Sequence, residues 1–249
     1  MRQLGSVATL LLLAVTVAPL RAETRSGDPQ HGKVVYQRYC LSCHGKNGDG
    51  AGDAADQLTP RPRDFRQGTF KWRSTATGSL PTVEDIDRTL QKGVYGTVMP
   101  SWFVIGPRAR RDVIAYIQLF SPRWGKEPPS APLMIPAEPP RSADAVKRGA
   151  AQYENLGCAS CHGETGRGDG TAAKDLKDDW GNSISPTNFT IGHYKSGDTA
   201  ADLYRVLMTG LNGTPMPSFA DNLKPEETWD LVDYLLSLAP KPERHASAR

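Results

Sequence analysis

Cys40-Leu41-Ser42-Cys43-His44 returns later in the chain as Cys158-Ala159-Ser160-Cys161-His162, and no other feature restricts the possible folds as much. Two thiols three positions apart at the start of a helix can each bond to one of the two vinyl groups on a haem edge, and the histidine that follows then faces the iron. The same Cys-x-x-Cys spacing serves zinc ribbons and thioredoxin-like redox sites. A zinc ribbon places its second pair roughly fifteen to twenty residues on, whereas more than a hundred residues separate the two pairs here. No βαβ pattern surrounds either motif. The doubled motif therefore predicts two covalently bound haem c groups, attached through Cys40, Cys43, Cys158 and Cys161.

What repeats is longer than the motif. Gly32 and Tyr36 stand one helical turn apart before the first copy, and Gly149 and Tyr153 before the second, a pairing that suits a close helix crossing. Glycine-rich segments follow both motifs and predict loops, with room for backbone to pass close to a flat haem. A phosphate cradle is a poor alternative, since no Gly-Lys-Ser/Thr follows and no strand precedes. Arg61-Pro62-Arg63-Asp64-Phe65 is matched by Ser185-Pro186-Thr187-Asn188-Phe189; counted from Gly32 and Gly149, the second copy carries seven extra residues by this point. It recovers them before the helical stretch Asp202 to Leu207, the counterpart of Asp85 to Leu90, with Gly93 and Gly210 as C-caps.

Met99 lies 55 residues after His44, and Met216 lies 54 after His162, each on a proline-pinned loop. A lone methionine is usually core filling. The duplicated Met-Pro-Ser-aromatic context, in phase with the haem motif, marks these two as candidate iron ligands. Each repeat closes on an amphipathic helix: Val113, Tyr116, Ile117 and Phe120, then Leu231, Tyr234, Leu235 and Leu238. Between them, Trp124 to Arg141 holds six prolines in eighteen residues and predicts an extended, semi-rigid tether.

The 249 residues thus divide into a signal peptide (1–22), a first domain (27–123), the linker (124–141), a second domain (142–240) and a loose tail (241–249). Arg2, the apolar run Val7 to Ala18 and the small Ala22 follow the export pattern. That run is shorter than the ~20 residues needed to span a bilayer. The expectation is a periplasmic protein with no transmembrane span after cleavage, c-type haems being attached outside the cytoplasm. All four cysteines lie in the motifs, so none remains for a disulfide, a free nucleophile or a thiolate ligand.

An N-terminal helix with glycine and aromatic, a Cys-x-x-Cys-His, a proline in the next loop, a late methionine and a C-terminal amphipathic helix together resemble class I c-type cytochromes. The resemblance spans nearly all of residues 27–240, twice over. It implies an all-α fold of two tandem class I cytochrome c domains, each a few helices around one haem. By the same resemblance His44 and Met99 are the axial ligands of the first iron, and His162 and Met216 those of the second. Pro62 and Pro186 fall where such proteins place a carbonyl that accepts a hydrogen bond from the ligating histidine.

Two strong ligands leave no open position for substrate, so the implied role is an electron carrier with no catalytic residues. Its partners are a redox donor and acceptor, within a respiratory chain and in one version a dehydrogenase or reductase of which it is the cytochrome subunit. The alternatives are enzymes: a dihaem peroxidase needs an iron that opens to peroxide, and thiosulfate dehydrogenases typically use a cysteine ligand that this chain cannot spare. A purely structural subunit is a third reading. Near-balanced charge after residue 22 argues against nucleic-acid binding.

Residues 27–123 carry 14 basic and 9 acidic side chains, and residues 142–240 carry 8 and 14. Arg61, Arg63, Arg66, Lys71 and Arg73 crowd one loop region, and Asp175, Asp178 and Asp179 the corresponding region of the second copy. This predicts either mutual attraction of the domains or separate docking faces for different partners. His31 and His245 are expected near mobile ends, His193 on the surface, Met208 on a helix, Met134 in the tether, and Trp72 and Trp102 beside the first haem.

Overall fold

The computed structural model describes residues 26–240; the export-type segment and the tail lie outside the described residues. Among the described residues eight α-helices form two sets of four. In the first domain these are α1 (Pro29–Tyr39), α2 (Leu41–His44), α3 (Val83–Lys92) and α4 (Gly106–Gln118). In the second they are α5 (Ala143–Asn155), α6 (Ala159–His162), α7 (Ala200–Thr209) and α8 (Pro225–Ser237). Among the described residues no strand forms, and the lone bridge pairs Lys177 with Ser183.

Local chemistry accounts for the helix ends. Asp28 caps α1, accepting from the Gln30 N–H at 2.9 Å, with Pro29 in the first turn where a missing N–H costs nothing. Thr82 with Asp85, and Thr199 with Asp202, build reciprocal capping boxes at α3 and α7. Gly93 and Gly210 close the same helices at positive φ, 68° and 63°. The last two helices are shorter than the apolar pattern suggested: α4 stops at Gln118 and α8 at Ser237, so Phe120 and Leu238 follow the helices rather than ending them. Phe120 still packs on Tyr36, ring centroids 5.2 Å apart.

Each domain is organised by one crossing. A Cβ on Gly32 would lie 1.9 Å from the Asp112 carbonyl oxygen, and one on Gly149 would lie 2.0 Å from that of Asp230. Only glycine lets α1 approach α4, and α5 approach α8, this closely. One turn on, Tyr36 meets Tyr116 edge-on at 5.3 Å, and Tyr153 meets Tyr234 with the same separation and the same 61° tilt. The crossings are pinned by His31 on the Asp112 carboxylate at 2.7 Å, and by Arg148 on Asp230 through two bonds of 2.6 and 2.7 Å. His31 is therefore held on α1 rather than loose near an end.

The linker carries no regular secondary structure from Glu127 to Arg141 but is not a mere tether. Trp124 packs on the first core, edge-on to Phe70, while Leu133 and Ile135 pack on the second. The Leu133 N–H donates to the Ser74 carbonyl at 2.6 Å, and the Ser130 N–H to the Ser79 hydroxyl at 2.9 Å. Apolar side chains scattered among prolines find a core once a domain lies on either side.

Candidate functional site

The short helices α2 and α6 carry the Cys-x-x-Cys-His motifs, and each ends in a glycine with the same backbone, φ 78° and ψ 159°. Tyr36 and Tyr153 donate their buried hydroxyls to the carbonyls of those glycines, Gly45 and Gly163, at 2.8 and 2.6 Å. The helix crossing and the motif are thereby joined by one hydrogen bond in each domain.

His44 Nδ1 lies 3.1 Å from the Arg63 carbonyl, and His162 Nδ1 lies 3.0 Å from that of Thr187. A carbonyl only accepts, so Nδ1 carries the proton and Nε2 keeps its lone pair, the tautomer a metal ligand needs. Burial pushes both imidazoles down from the ordinary histidine value, favouring the neutral ring. The acceptor is one residue later than Pro62 and Pro186: a Cβ on Gly50 would lie 2.5 Å from the Pro62 oxygen, and one on Gly168 2.9 Å from the Pro186 oxygen. The glycine-rich loops thus make room for the neighbouring protein backbone, and the proline carbonyls face those loops while the next carbonyls reach the histidines. Phe65 and Phe189 lie against the two imidazoles at 4.6 and 4.8 Å. The repeat aligns these two phenylalanines, and that matched place is the only mark of their role in the sequence.

The methionines stand on loops closed alike. The Val94 N–H donates to the Met99 carbonyl at 3.0 Å and the Leu211 N–H to that of Met216 at 3.1 Å, while Thr97 and Thr214 hydroxyls accept from the methionine N–H groups. In the first domain Cys40, Cys43, His44 and Met99 all line one cleft, together with Trp72 and Trp102; its empty space, counting the solvent at its mouth, is about 1190 Å³. In the second, Cys158 and Met216 both pack on the core that holds Tyr153 and Phe189.

The residues fit a covalently held haem. All four thiols are free, and burial pushes Cys40 up to about 12 and Cys158 up to about 11, opposite to the stabilised thiolate of a thioredoxin-like site. Among the described residues no three His, Cys, Asp or Glu side chains gather as a metal cluster, which a zinc ribbon would require. The cleft walls are largely apolar, with Arg61, Arg63 and Lys71 at the polar side. Burial, then the charge of Arg63, pushes the Lys71 amine down to about 8, and these basic side chains on the lining would suit the acidic groups of a haem. The Tyr194 hydroxyl, in a ring 5.9 Å from Phe189, is likewise a buried donor with no protein acceptor.

Comparison with known families gives two matches at distinct positions. Residues 27–117 match the family described as cytochrome c oxidase, cbb3-type, subunit III, and residues 146–239 match the cytochrome c family. No curated protein gives a significant match. Among solved structures, a chain of the Kuenenia stuttgartiensis reducing HAO-like protein complex is 39% identical, with 86% of this chain and 98% of that one covered and a TM-score of 0.84. The chain is a dihaem c-type cytochrome. Its fold is all-α with two cytochrome c domains in tandem, and domains of this kind transfer electrons.

The two charged loop regions of the cytochrome face each other rather than pointing to opposite ends. The Arg63 guanidinium lies over the Trp180 ring at 4.5 Å, with Asp178 and Asp179 close enough to oppose its burial. Lys92 of the first domain reaches Asp202 of the second at 2.9 Å. Arg73, 1% exposed, donates to the carbonyls of Thr209 and Gly210. The charge imbalance is thus spent at least partly on holding the domains together. His193 pairs with Asp198 on the surface, Met208 lies on α7 under the Thr228 hydroxyl, and Met134 is exposed in the linker. His245 lies outside the described residues.

Proposed function

We propose that this cytochrome is a periplasmic electron carrier with two covalently attached haems, its irons ligated by His44 with Met99 and by His162 with Met216. The observation that carries the reading is the meeting of Cys40, Cys43, His44 and Met99 on one largely apolar cleft, by a framework the second domain repeats bond for bond. Bound haem supplies a one-electron centre, and a histidine–methionine ligand set favours its reduced state. The chain's own residues do the rest. The Arg63 and Thr187 carbonyls fix the imidazole tautomers, the threonine-braced loops present the thioethers, and the apolar walls keep water from the site.

Sites with both axial positions filled pass electrons and perform no bond chemistry of their own, so the proposed partners are proteins: a donor and an acceptor. The relative of known structure belongs to a complex with an HAO-like protein, and identity of 39% over nearly its whole length supports service as the cytochrome subunit of such a redox enzyme. Export rests on the pattern of residues 1–22. A spectroscopic redox titration of the purified holoprotein tests the reading. Two reversible low-spin haems, each with a methionine-to-iron charge-transfer band, are expected; one high-spin haem would point to an enzyme instead.

A further inference from the structure

Residues 177–183 belong to the stretch that makes the second domain longer before Ser185, and they form a small closed loop. Lys177 bridges Ser183, the Asp178 N–H donates to the Asn182 carbonyl at 2.9 Å, and the Asp178 carboxylate accepts from the N–H groups of Trp180 and Asn182. So folded, the loop touches both haem regions. Toward the first domain, Trp180 lies under the Arg63 guanidinium at 4.5 Å. Toward the second, the Asp179 N–H donates to the Gly213 carbonyl at 3.2 Å, in the turn that leads to Met216. A Cβ on Gly213 would lie 2.7 Å from the Trp180 ring and 2.9 Å from Arg63 Nη1; at its counterpart Gly96 a Cβ would meet nothing within 4 Å.

We propose that Arg63 is a positioning residue shared by the two domains: its carbonyl orients His44, while the 177–183 loop of the other domain grips its side chain. The residue whose carbonyl accepts the His44 hydrogen bond is anchored at its far end on Trp180, in the field of Asp178 and Asp179. A cation stacked on an indole and drawn out of water is held more firmly than one at an exposed site. His162 has no such dependence, because its acceptor, Thr187, carries a short neutral side chain with no charge for another domain to grip. One domain's insertion therefore sets the stiffness of the other domain's histidine.

The proposal rests on His44 as an iron ligand, and the test separates the two. In the oxidised full-length holoprotein, hyperfine-shifted NMR signals of both axial imidazoles check the ligand assignment, which fails if His44 gives none. Hydrogen–deuterium exchange of the two Nδ1 protons then reads the grip. Trp180→Ala is expected to speed exchange at His44 about tenfold, the scale of losing one desolvated cation–π contact, and to leave His162 unchanged. Trp180→Phe, which keeps an aromatic face, should restore most of the protection. A parallel shift in the potential of the first haem is expected, with a smaller one for the second through Gly213. Unchanged His44 exchange, or equal acceleration at both histidines, would overturn the proposal.

Discussion

Gly96 and Gly213 occupy the same place in their methionine loops, yet one faces open space and the other is wedged against Trp180 and Arg63. The loops themselves are built alike, down to the threonine that braces each methionine. Their surroundings have diverged. After Met99 the chain exposes Phe103 and Val104, together with Val98 before it, whereas after Met216 Phe219 is buried and Ala220 and Asp221 take the exposed positions. The comparison teaches that the framework around each site was kept while its outward face was free to change. The first domain leaves its methionine loop open to an apolar contact, and the second leans its own on the junction.

If the framework is truly equivalent, its tightest point must fail equally in both halves. Gly32→Ala and Gly149→Ala each drive a methyl group into a carbonyl oxygen, and backbone cannot swing aside as a flexible side chain would. Each substitution should cost about 3 kcal/mol or more, at the upper end of overpacking penalties. Denaturant unfolding of the two holoproteins would measure it. A marked difference in loss would show that one crossing carries less of its domain than the other.

The junction is the next place to press. Arg73→Ala removes a buried cation that donates to the Thr209 and Gly210 carbonyls, leaving them only the Thr77 and Thr209 hydroxyls as donors. A loss of roughly 2 kcal/mol is expected from the junction. Calorimetry of the wild-type protein should show a single transition, and the variant should resolve two as the domains unfold independently. A variant that still melts in one step would mean that the other junction contacts, Lys92 with Asp202, Arg63 with Trp180 and the linker's Leu133 and Ile135, hold the halves together without Arg73.

Much of this was legible in the residues. The helix crossing could be read from Gly32 and Tyr36 because a small residue beside an aromatic has few other uses on a helix face. The phase of Met99 with His44 was visible because a second copy repeated it. What escaped has a common physical cause: it depends on which surfaces meet. A count of Arg and Asp residues says that two loops attract, but not whether they face each other or separate partners. Trp180 occurs in one copy only, so no repeat pointed to it. The Pro62 carbonyl lay at the expected place along the chain, and only the direction of the peptide group sends it to Gly50 and its successor to His44.

The smallest expected effect concerns the side chains that pin the crossings, where the halves set different partners at matching positions, His31 and Arg148, against their aspartates. Burial raises the Asp112 carboxyl, but the Asp28 N–H and His31 more than offset this and hold it below the usual carboxylate range. A carboxyl depressed in the folded state contributes stability above its ordinary value, near pH 4, and loses it as pH falls through the lower folded value. Half the pair is half-exposed, so the contribution should be about 1 kcal/mol or less. Asp112→Asn should therefore lower the urea midpoint slightly at pH ~5 and flatten its fall toward pH ~3. His31→Arg, which copies the second domain's arrangement, should leave the fall in place, because the carboxyl that titrates is still paired. If Asp112→Asn leaves the acid limb as steep as before, the crossing is held by the Gly32 approach and the Tyr36–Tyr116 contact without help from this pair.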